Sequence, residues 1–176
     1  MSDEPIPAAT LVVVRDRAAG PPELLMVERA PGMVFAGGAL VFPGGRIDEA
    51  DRQLARPLGY ADGAARVAAI RETIEETAVA VGIEPLPAVD DALAMQGELV
   101  DDRPFAELLD DAGLGLDLDA LTPFARWLPN FHVTRRFDTL FFIARAPAGD
   151  WQPNVMLGEC SGAFWLTAAD ALERER

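Results

Sequence analysis

The chain has 176 residues, 50% hydrophobic content and a formal net charge of −14, from 29 acidic and 15 basic side chains. Its length and apolar content predict a sizeable core, and we expect residues 1–176 to form one soluble domain. The negative charge disfavours nucleic acid as a partner, because such a surface repels a polyphosphate backbone. No run approaches the roughly 20 consecutive apolar residues of a membrane span, so we expect no membrane partner either.

The amino-terminal residues and the cysteine content bear on the compartment. Residues 1–4 lack the basic start and the apolar core of a secretion signal. Cys160 is the single cysteine, which excludes an internal disulfide and disfavours zinc ligation by cysteine. We therefore expect a cytoplasmic protein in which Cys160 is a small packing residue.

Apolar runs and turn residues predict strands and helices in a mixed order along the chain. Strands are predicted at 9–14, 24–28, 39–42, 124–127, 138–144 and 163–166. Helices are predicted at 63–81, 90–100, 104–112 and 168–172. Strands interleaved with a few helices indicate an α/β fold with a mixed sheet and helices on both faces.

The strand predicted at 39–42 runs into a glycine loop. Gly44 and Gly45 follow it almost directly, and glycines allow a ligand to approach the main chain closely. Asp48 and Asp51 come next, and we place both in the same loop, ahead of the following helix. This loop is therefore a candidate ligand site.

That following helix carries three carboxylates within five residues. Glu72, Glu75 and Glu76 are spaced i, i+3 and i+4, so they project from one helix face. Like charges at this spacing destabilise an isolated helix by roughly 0.2 to 0.5 kcal/mol per pair. A hard divalent cation such as Mg²⁺ or Mn²⁺ would supply the missing attraction, since these ions prefer oxygen ligands.

A second interpretation of the same helix needs no metal. Apolar residues recur at helical spacing and predict a stripe that faces a core. The stripe consists of Val67, Ile70, Ile74, Ala78 and Val81. The three glutamates lie on the opposite side, which is also the pattern of a solvated outer face.

Strand, glycine loop and carboxylate helix together resemble the Nudix hydrolase box, whose pattern is Gx5Ex7REUxEExGU with U an aliphatic residue. Gly45 matches its first glycine, Asp51 stands in place of its first glutamate, and Arg71 and the three glutamates match REUxEE. Ala78 replaces the last glycine, which predicts that the helix continues beyond this position. Between Asp51 and Arg71 lie 19 residues where the pattern has seven, an insertion of 12. We expect it to be a loop that ends at a helix start near Asp62.

The resemblance implies an α/β/α sandwich with a mixed sheet, and a metal-dependent hydrolase of diphosphate linkages with Mg²⁺ or Mn²⁺ as cofactor. It implies that Glu72, Glu75 and Glu76 ligate the metal and take part in catalysis. Asp51 is a candidate fourth ligand. Arg71 is expected to support catalysis by orienting Glu75 through an i, i+4 pair.

The enlarged box is similar to that of the coenzyme A diphosphatase-like branch of the family, whose pattern resembles LLTxRSx3Rx3Gx3FPGG. Arg29 fits this pattern, and Gly44 and Gly45 close it, whereas Ala30 and Val34 replace its serine and its second arginine. The resemblance implies that Arg29 and the two glycines bind substrate. Coenzyme A or its esters lead as substrates, followed by nicotinamide dinucleotides and ADP-ribose.

A further candidate contact with substrate lies just before the strand predicted at 138–144. Arg135 and Arg136 stand beside Phe137. A guanidinium fork could hold phosphate there, and the ring could pack on a base or on pantetheine. The structural alternative is an ion pair between one of the arginines and Asp138 or another acid.

The sequence leaves the general base open. It is either a glutamate of the box or a carboxylate on a separate loop, such as Glu159 beside the flexible Gly158. The sequence favours an ordinary surface role for Glu159 over this one. His132, the only histidine, is a further acid–base candidate or a hydrogen-bonded surface group.

Two questions about the whole chain stay open: whether it is an enzyme or a sensor, and whether it is truncated. A non-catalytic Nudix-fold module that senses a nucleotide is the alternative to an enzyme, and the intact set of Glu72, Glu75 and Glu76 favours the enzyme. A small-molecule diphosphate is the expected partner in both cases, and a homodimer is left open. The chain stops within a predicted helix where relatives usually carry more sequence, so it is either short or truncated at its carboxyl terminus.

Overall fold

The computed structural model describes residues 4–32, 37–130, 136–156 and 158–175. The sequence predictions for Val34, His132 and Arg135 fall outside these ranges. Within the ranges, no helix is long and apolar enough to cross a membrane.

The described chain contains nine strands, five helices and two short 3-10 turns. The strands are β1 (Ile6–Arg15), β2 (Glu23–Arg29), β3 (Leu40–Val41), β4 (Gly44–Arg46), β5 (Ile83–Glu84), β6 (Gly115–Leu116), β7 (Thr122–Trp127), β8 (Phe137–Arg145) and β9 (Cys160–Thr167). The helices are α1 (Glu49–Ala55), α2 (Gly63–Thr77), α3 (Val89–Val100), α4 (Phe105–Ala112) and α5 (Ala168–Arg174). Short 3-10 turns occupy Arg56–Leu58 and Leu118–Ala120. β5 and β6 pair with each other, and the other strands form one sheet.

The main sheet forks between β1 and β2. These two strands pair near the carboxyl end of β1, for instance Val14 with Leu24. The earlier part of the same β1 edge pairs with β4, for instance Ala9 with Gly45, while β3 continues along the edge of β2. The chain from β3 to β4 therefore crosses the fork, and it carries Gly44 there.

The two outer parts of the sheet flank this fork. β8 pairs in parallel with the other edge of β1, starting at Ile6 with Phe137. β7 pairs antiparallel with β8 at the outer edge, with a register shift between Pro123 and Ala125, and all its residues are exposed. On the other side of the fork, β9 pairs antiparallel with β2. Parallel and antiparallel pairs in one sheet make it mixed, as predicted.

Helices pack on both faces of the sheet. Leu11 and Leu25 face α2, where they join Ile70 and Ile74 in one buried apolar cluster. α1 and α3 pack against α2 on this face, and α4 packs against both of them. Met26, next to Leu25 in β2, points to the opposite face and lines a cleft with α5. The predicted α/β fold is therefore confirmed.

The carboxylate helix ends earlier than predicted. Ala78 has a left-handed backbone, with φ 58°, and its N donates to Ile74 O at 2.8 Å. The expectation that an alanine here prolongs the helix is wrong. The turn at Ala78 carries Val79 and Val81 into the core, where both are buried, and this burial outweighs the preference of alanine for helix. Ala78 thus adopts the conformation that usually selects glycine.

The segment after the glycines is helical where a loop was predicted. Asp48 is the residue before α1, and Asp51 lies inside that helix. Asp48 N donates to Asp51 Oδ2 at 2.8 Å, which satisfies a donor at the helix start. The insertion therefore consists of the end of α1, a 3-10 turn and the first turns of α2. The helix start predicted near Asp62 is confirmed, since α2 begins at Gly63.

Candidate active site

Glu76 is held inside the fork of the sheet. Its Oε2 accepts a hydrogen bond from Gly44 N at 3.0 Å, and its Oε1 accepts one from Cys160 Sγ at 3.7 Å. Gly44 lies in β4 on the β1 side of the fork, and Cys160 opens β9 on the β2 side. The last turn of α2 therefore spans the fork, and one carboxylate is fixed to both of its walls.

Glu72 lies one turn earlier, against Gly45. A Cβ atom added at Gly45 would lie 2.4 Å from Glu72 Oε1, and one added at Gly44 would lie 2.4 Å from Ala9 O. Backbone atoms of β1 exclude a side chain at Gly44, whereas a side chain at Gly45 would displace the carboxylate of Glu72. Substrate binding at Gly44 and Gly45 stays a prediction.

Arg71 binds three carboxylates on the other side of the same turn. Its Nε and Nη2 donate to the two oxygens of Asp51 at 2.9 and 3.0 Å. Its Nη1 donates to Glu72 Oε1 at 2.9 Å and to Glu75 Oε2 at 3.3 Å, so the predicted i, i+4 pair is present. Burial works to lower the pKa of Arg71, but the hydrogen bonds to Asp51 and the charge of Glu72 outweigh it and raise that pKa.

Asp51 is turned toward Arg71 and is only 2% exposed. Each of its oxygens accepts a hydrogen bond from Arg71, and Oδ2 also accepts one from Asp48 N. The carboxylate thus anchors the guanidinium from the neighbouring helix. This placement does not favour the predicted role of Asp51 as a fourth metal ligand.

Burial sets the charge state of the glutamates. It raises the pKa of Glu72 to about 7 against the opposing charge of Arg71. It raises the pKa of Glu76 to about 8, and the nearby charge of Glu72 adds to the rise. The interpretation of this face as a solvated outer face is wrong, because only 16% of the Glu72 side chain is exposed. Negative charge on the turn exceeds what the protein itself compensates.

The donor chemistry of this turn fits a hard divalent cation. Glu72, Glu75 and Glu76 offer carboxylate oxygens, the ligand type that Mg²⁺ and Mn²⁺ prefer. Their raised pKa values mean that added positive charge would stabilise the ionised forms. Among the residues that the structure describes, no three histidine, cysteine or acidic side chains are already gathered as a metal-binding group. Two of the glutamates are turned toward Arg71 instead.

Comparison with known proteins decides the family. No family model matches the sequence. The structure is similar to that of a NUDIX hydrolase from Alicyclobacillus acidocaldarius, with 31% sequence identity, coverage of 97% of this chain and 82% of that chain, and a TM-score of 0.82. This chain belongs to the Nudix hydrolases.

Two more distant similarities show the Nudix fold alone. One is to the NUDIX domain of Shewanella oneidensis NrtR complexed with ADP ribose, with 15% identity, coverage of 98% and 79% of the two chains, and a TM-score of 0.59. The other is to a C. elegans Ap4A hydrolase binary complex, with 17% identity, coverage of 96% and 84%, and a TM-score of 0.50. As a Nudix hydrolase, the protein is an enzyme that hydrolyses diphosphate linkages, and this family generally uses divalent metal ions.

Arg29 of this Nudix hydrolase lies beside the fork. It ends β2 and pairs with Cys160 of β9. Its positive charge works against the burial that raises the pKa of Glu76. Its Nε is buried and has no hydrogen-bond partner in the described part of the chain. A buried guanidinium nitrogen without an acceptor is available to an anionic ligand.

Arg136 and Phe137 lie on the far side of β1 from the glycines. Phe137 pairs with Ile6, and Arg136 O accepts a hydrogen bond from Ile6 N at 2.8 Å. Between residues that the structure describes, no hydrogen bond or ion pair joins Arg136 to the glutamates. The alternative that Arg136 pairs with Asp138 is wrong, because Arg126 binds both oxygens of Asp138 at 2.7 and 2.5 Å.

The sequence interpretation missed residues that support the turn. Cys160 was expected only to fill space, yet it contacts Glu76. Gln96 is buried on α3 and donates to Glu75 O at 3.0 Å. The signal for Gln96 was available, since it stands on the apolar stripe of α3 with Ala92, Met95 and Leu99, where a polar residue needs a partner.

Glu159 lies near the turn on the segment that leads into β9. Burial raises the pKa of Glu75, and the charge of Glu159 adds to that rise. Glu159 itself is exposed, and its backbone O accepts a hydrogen bond from Ala30 N at 2.8 Å. The structure thus brings this general-base candidate close to the box glutamates.

Proposed function

We propose that this Nudix hydrolase splits the diphosphate of a nucleoside diphosphate joined to another group, in a reaction that depends on Mg²⁺ or Mn²⁺. Glu72 and Glu76 are the principal metal ligands, and Glu75 is the third. One observation carries the proposal. Glu76 is fixed between Gly44 and Cys160 beside Glu72, and the protein leaves the charge of these two carboxylates partly uncompensated.

Arg71 is proposed to support these ligands rather than to touch substrate. Its hydrogen bonds hold one oxygen of Glu72 and one of Glu75, while Asp51 fixes the guanidinium from α1. The insertion between Asp51 and Arg71 therefore leaves these two residues in contact although it lengthens the chain between them. In this proposal Asp51 acts on the metal site through Arg71.

Hydrolysis of a diphosphate is slow because the attacking water and the charged phosphoryl oxygens repel each other. A divalent ion, when bound, stabilises the charge of the phosphoryl oxygens and acidifies the attacking water. Gly44 N and Cys160 Sγ hold Glu76 in place during this step. Arg29 offers the unpaired N–H of its Nε to a phosphate near Glu76. Proton removal from the water falls to Glu75 or Glu159, since the Glu75 side chain is 34% exposed against 16% for Glu72, and Glu159 is exposed.

Coenzyme A or an acyl-coenzyme A is the proposed substrate, with nicotinamide dinucleotides and ADP-ribose next. Support comes from the match of Arg29 and the glycine loop to the coenzyme A diphosphatase-like pattern. The similarity to a NUDIX domain complexed with ADP ribose keeps that compound in the series. Arg135, Arg136 and Phe137 are proposed to contact the part of the substrate beyond the diphosphate.

The surroundings of the enzyme follow from its charge and its core. We propose a cytoplasmic enzyme that acts on a small molecule and binds neither nucleic acid nor membrane, since its net charge is −14. We also propose that residues 1–176 form one domain, since the buried apolar side chains of the described residues form one cluster. A homodimer stays a proposal for which solution mass is the test.

The test is a substrate panel run with matched variants. Coenzyme A, an acyl-coenzyme A, NADH, ADP-ribose and a dinucleoside polyphosphate are incubated with Mg²⁺ or Mn²⁺, and phosphorylated products are measured. We expect metal-dependent turnover of at least one compound, and loss of at least about 100-fold in Glu76→Gln, since removing several kcal/mol of charge stabilisation has that effect. Glu107→Gln removes the same charge from an exposed site on α4 and should leave turnover unchanged.

Two outcomes would contradict the proposal. Equal turnover by the wild type and Glu76→Gln would move the chemistry away from this turn. Tight binding of a panel compound without turnover would identify a sensor rather than an enzyme.

A further inference from the structure

The last turn of α2 rests on a buried amide from another helix. Gln96 of α3 is 0% exposed. Its Nε2 donates to Glu75 O at 3.0 Å and to Asn154 O at 2.8 Å. Its Oε1 accepts from Asn154 Nδ2 at 2.7 Å. Gln96 and Asn154 thus form a reciprocal pair, which we call the amide pair, in contact with the backbone of a proposed metal ligand.

The amide pair donates hydrogen bonds to carbonyls that a helix leaves unpaired at its carboxyl end. Ile74 O accepts from Ala78 N at 2.8 Å, through the helix's own cap. Glu75 O accepts from Gln96, and Thr77 O accepts from Asn154 N at 2.9 Å. Two of these three carbonyls are therefore paired by residues far away in the sequence. The position of this turn is set from outside α2.

The same pair also contacts the chain that precedes β9. Asn154 lies three residues after Trp151, whose O accepts from Trp165 Nε1 at 2.7 Å, and six residues before Cys160. Cys160 in turn contacts the carboxylate of Glu76. The last turn of α2 is thus tied to Asn154 through one glutamine.

A buried amide is costly unless its hydrogen bonds are made, and an apolar side chain of similar size would pack on α3 as well. Gln96 has neighbours of that kind on the same stripe, Met95 and Leu99, both buried. Residues behind a ligand orient it and commonly alter metal affinity or activity when they are removed. These contacts give Gln96 a task beyond filling space.

We propose that Gln96 and Asn154 are positioning residues, which hold the last turn of α2 and so place Glu75 and Glu76 for metal binding and turnover. The proposal rests on the proposed function, in which these glutamates bind the metal. It assigns no direct contact with substrate to either residue. Loss of the amide pair should therefore lower kcat and weaken metal binding, while KM for the substrate stays the same.

The experiment measures Mn²⁺ binding by electron paramagnetic resonance, kcat and KM on the full chain, with Tm recorded for each variant. Gln96→Leu should raise the Mn²⁺ dissociation constant and lower kcat by roughly 10- to 100-fold. Leu99→Ala, on the same helix, should lower Tm and leave both quantities unchanged. Gln96→Leu combined with Asn154→Ala should be no worse than Gln96→Leu alone, because the pair acts as a unit.

Further variants keep the outcome decisive. If Gln96→Leu fails to fold, Asn154→Ala decides, since Asn154 is exposed and Gln152→Ala in the same segment is its control. If Gln96→Leu and Leu99→Ala have the same metal affinity and the same kcat, the inference is overturned. If Glu76→Gln leaves Mn²⁺ binding intact, the proposed function fails first. If Glu76→Gln removes binding and the amide-pair variants do not weaken it, only this inference fails.

Discussion

Two sides of one helical turn differ in how their negative charge is balanced. On one side, Arg71 shares a guanidinium among Asp51, Glu72 and Glu75, at distances from 2.9 to 3.3 Å. On the other side, Glu76 receives a backbone N–H and a thiol, neither of which carries a positive charge. Both sides are sheltered from water. The difference indicates that a cation has most to add on the Glu76 side.

The largest expected effect concerns the side of the turn where Arg71 balances the negative charge. Arg71→Leu should lower the free energy of unfolding by about 3–5 kcal/mol, because it leaves the buried Asp51 carboxylate without its cationic partner. Urea denaturation measures the change. Arg52→Leu on α1 is the control, since Arg52 pairs with Glu49 at an exposed site, and it should cost little. Equal losses in the two variants would mean that the guanidinium does not balance this side.

The next effect separates the two sides by metal affinity. Glu76→Gln should weaken Mn²⁺ binding about 100-fold, or ~2.8 kcal/mol, because the cation loses its nearest uncompensated charge. Glu75→Gln should weaken it less, since Glu75 is already paired with Arg71 and its side chain is 34% exposed. Calorimetric titration gives both constants. The reverse order would place the cation on the Arg71 side.

The pH dependence of stability follows from the same imbalance. Burial raises the pKa of Glu72 from 4.5 to about 7 and that of Glu76 from 4.5 to about 8. The folded state therefore binds protons more tightly than the unfolded chain, so stability in a chelating buffer should fall as pH rises from about 4.5 to about 8. The loss from these groups should be fully present above the folded pKa values and absent below about pH 4.5.

Thermal unfolding across this pH range checks the expectation. The Glu72→Gln, Glu76→Gln double variant should flatten the decline, and it corrects for the general repulsion of a chain with net charge −14. Added Mn²⁺ should flatten it in the wild type alone. An identical decline in both proteins would show that these carboxylates are not the source.

The smallest expected effect concerns Ala78, the residue at which α2 ends. Ala78→Gly should raise the free energy of unfolding by less than about 1 kcal/mol, because relief of the left-handed backbone is offset by the greater freedom of glycine in the unfolded chain. Ala80→Gly is the control, as Ala80 is also buried and does not have a positive φ, so it should destabilise. Chemical denaturation distinguishes the two. A loss of stability in Ala78→Gly would mean that packing of the Ala78 methyl group outweighs its backbone conformation.

The sequence predicted those parts of the molecule that local periodicity controls. The glutamates at i, i+3 and i+4 and the part of the apolar stripe that lies in α2, Val67, Ile70 and Ile74, were predicted correctly, because helical geometry alone places them on two faces. The end of α2 at Thr77 was not, since it depends on the burial of Val79 and Val81. β4 was missed because its two glycines have low strand propensity, and it exists through pairing with β1.

The candidate site was predictable in its residue types and not in its pairings. The box pattern identified Glu76 and Arg71, but it assigned Asp51 to the metal. Asp51 meets Arg71 only because α1 packs against α2, across an insertion whose path the pattern does not describe. Cys160 and Gln96 reach the turn from distant elements. The apolar stripe of α3 indicated that Gln96 needs a partner, but no local signal identified that partner as the backbone of Glu75.

The outer strand β7 bears on how the enzyme behaves at high concentration. Its exposed residues include Phe124 and Trp127, at 64% and 61%, and a free strand edge with such side chains normally invites another chain to add on. Pro123 has no N–H to offer, and the register shift that follows it bends the edge. These interruptions protect the sheet from templated aggregation.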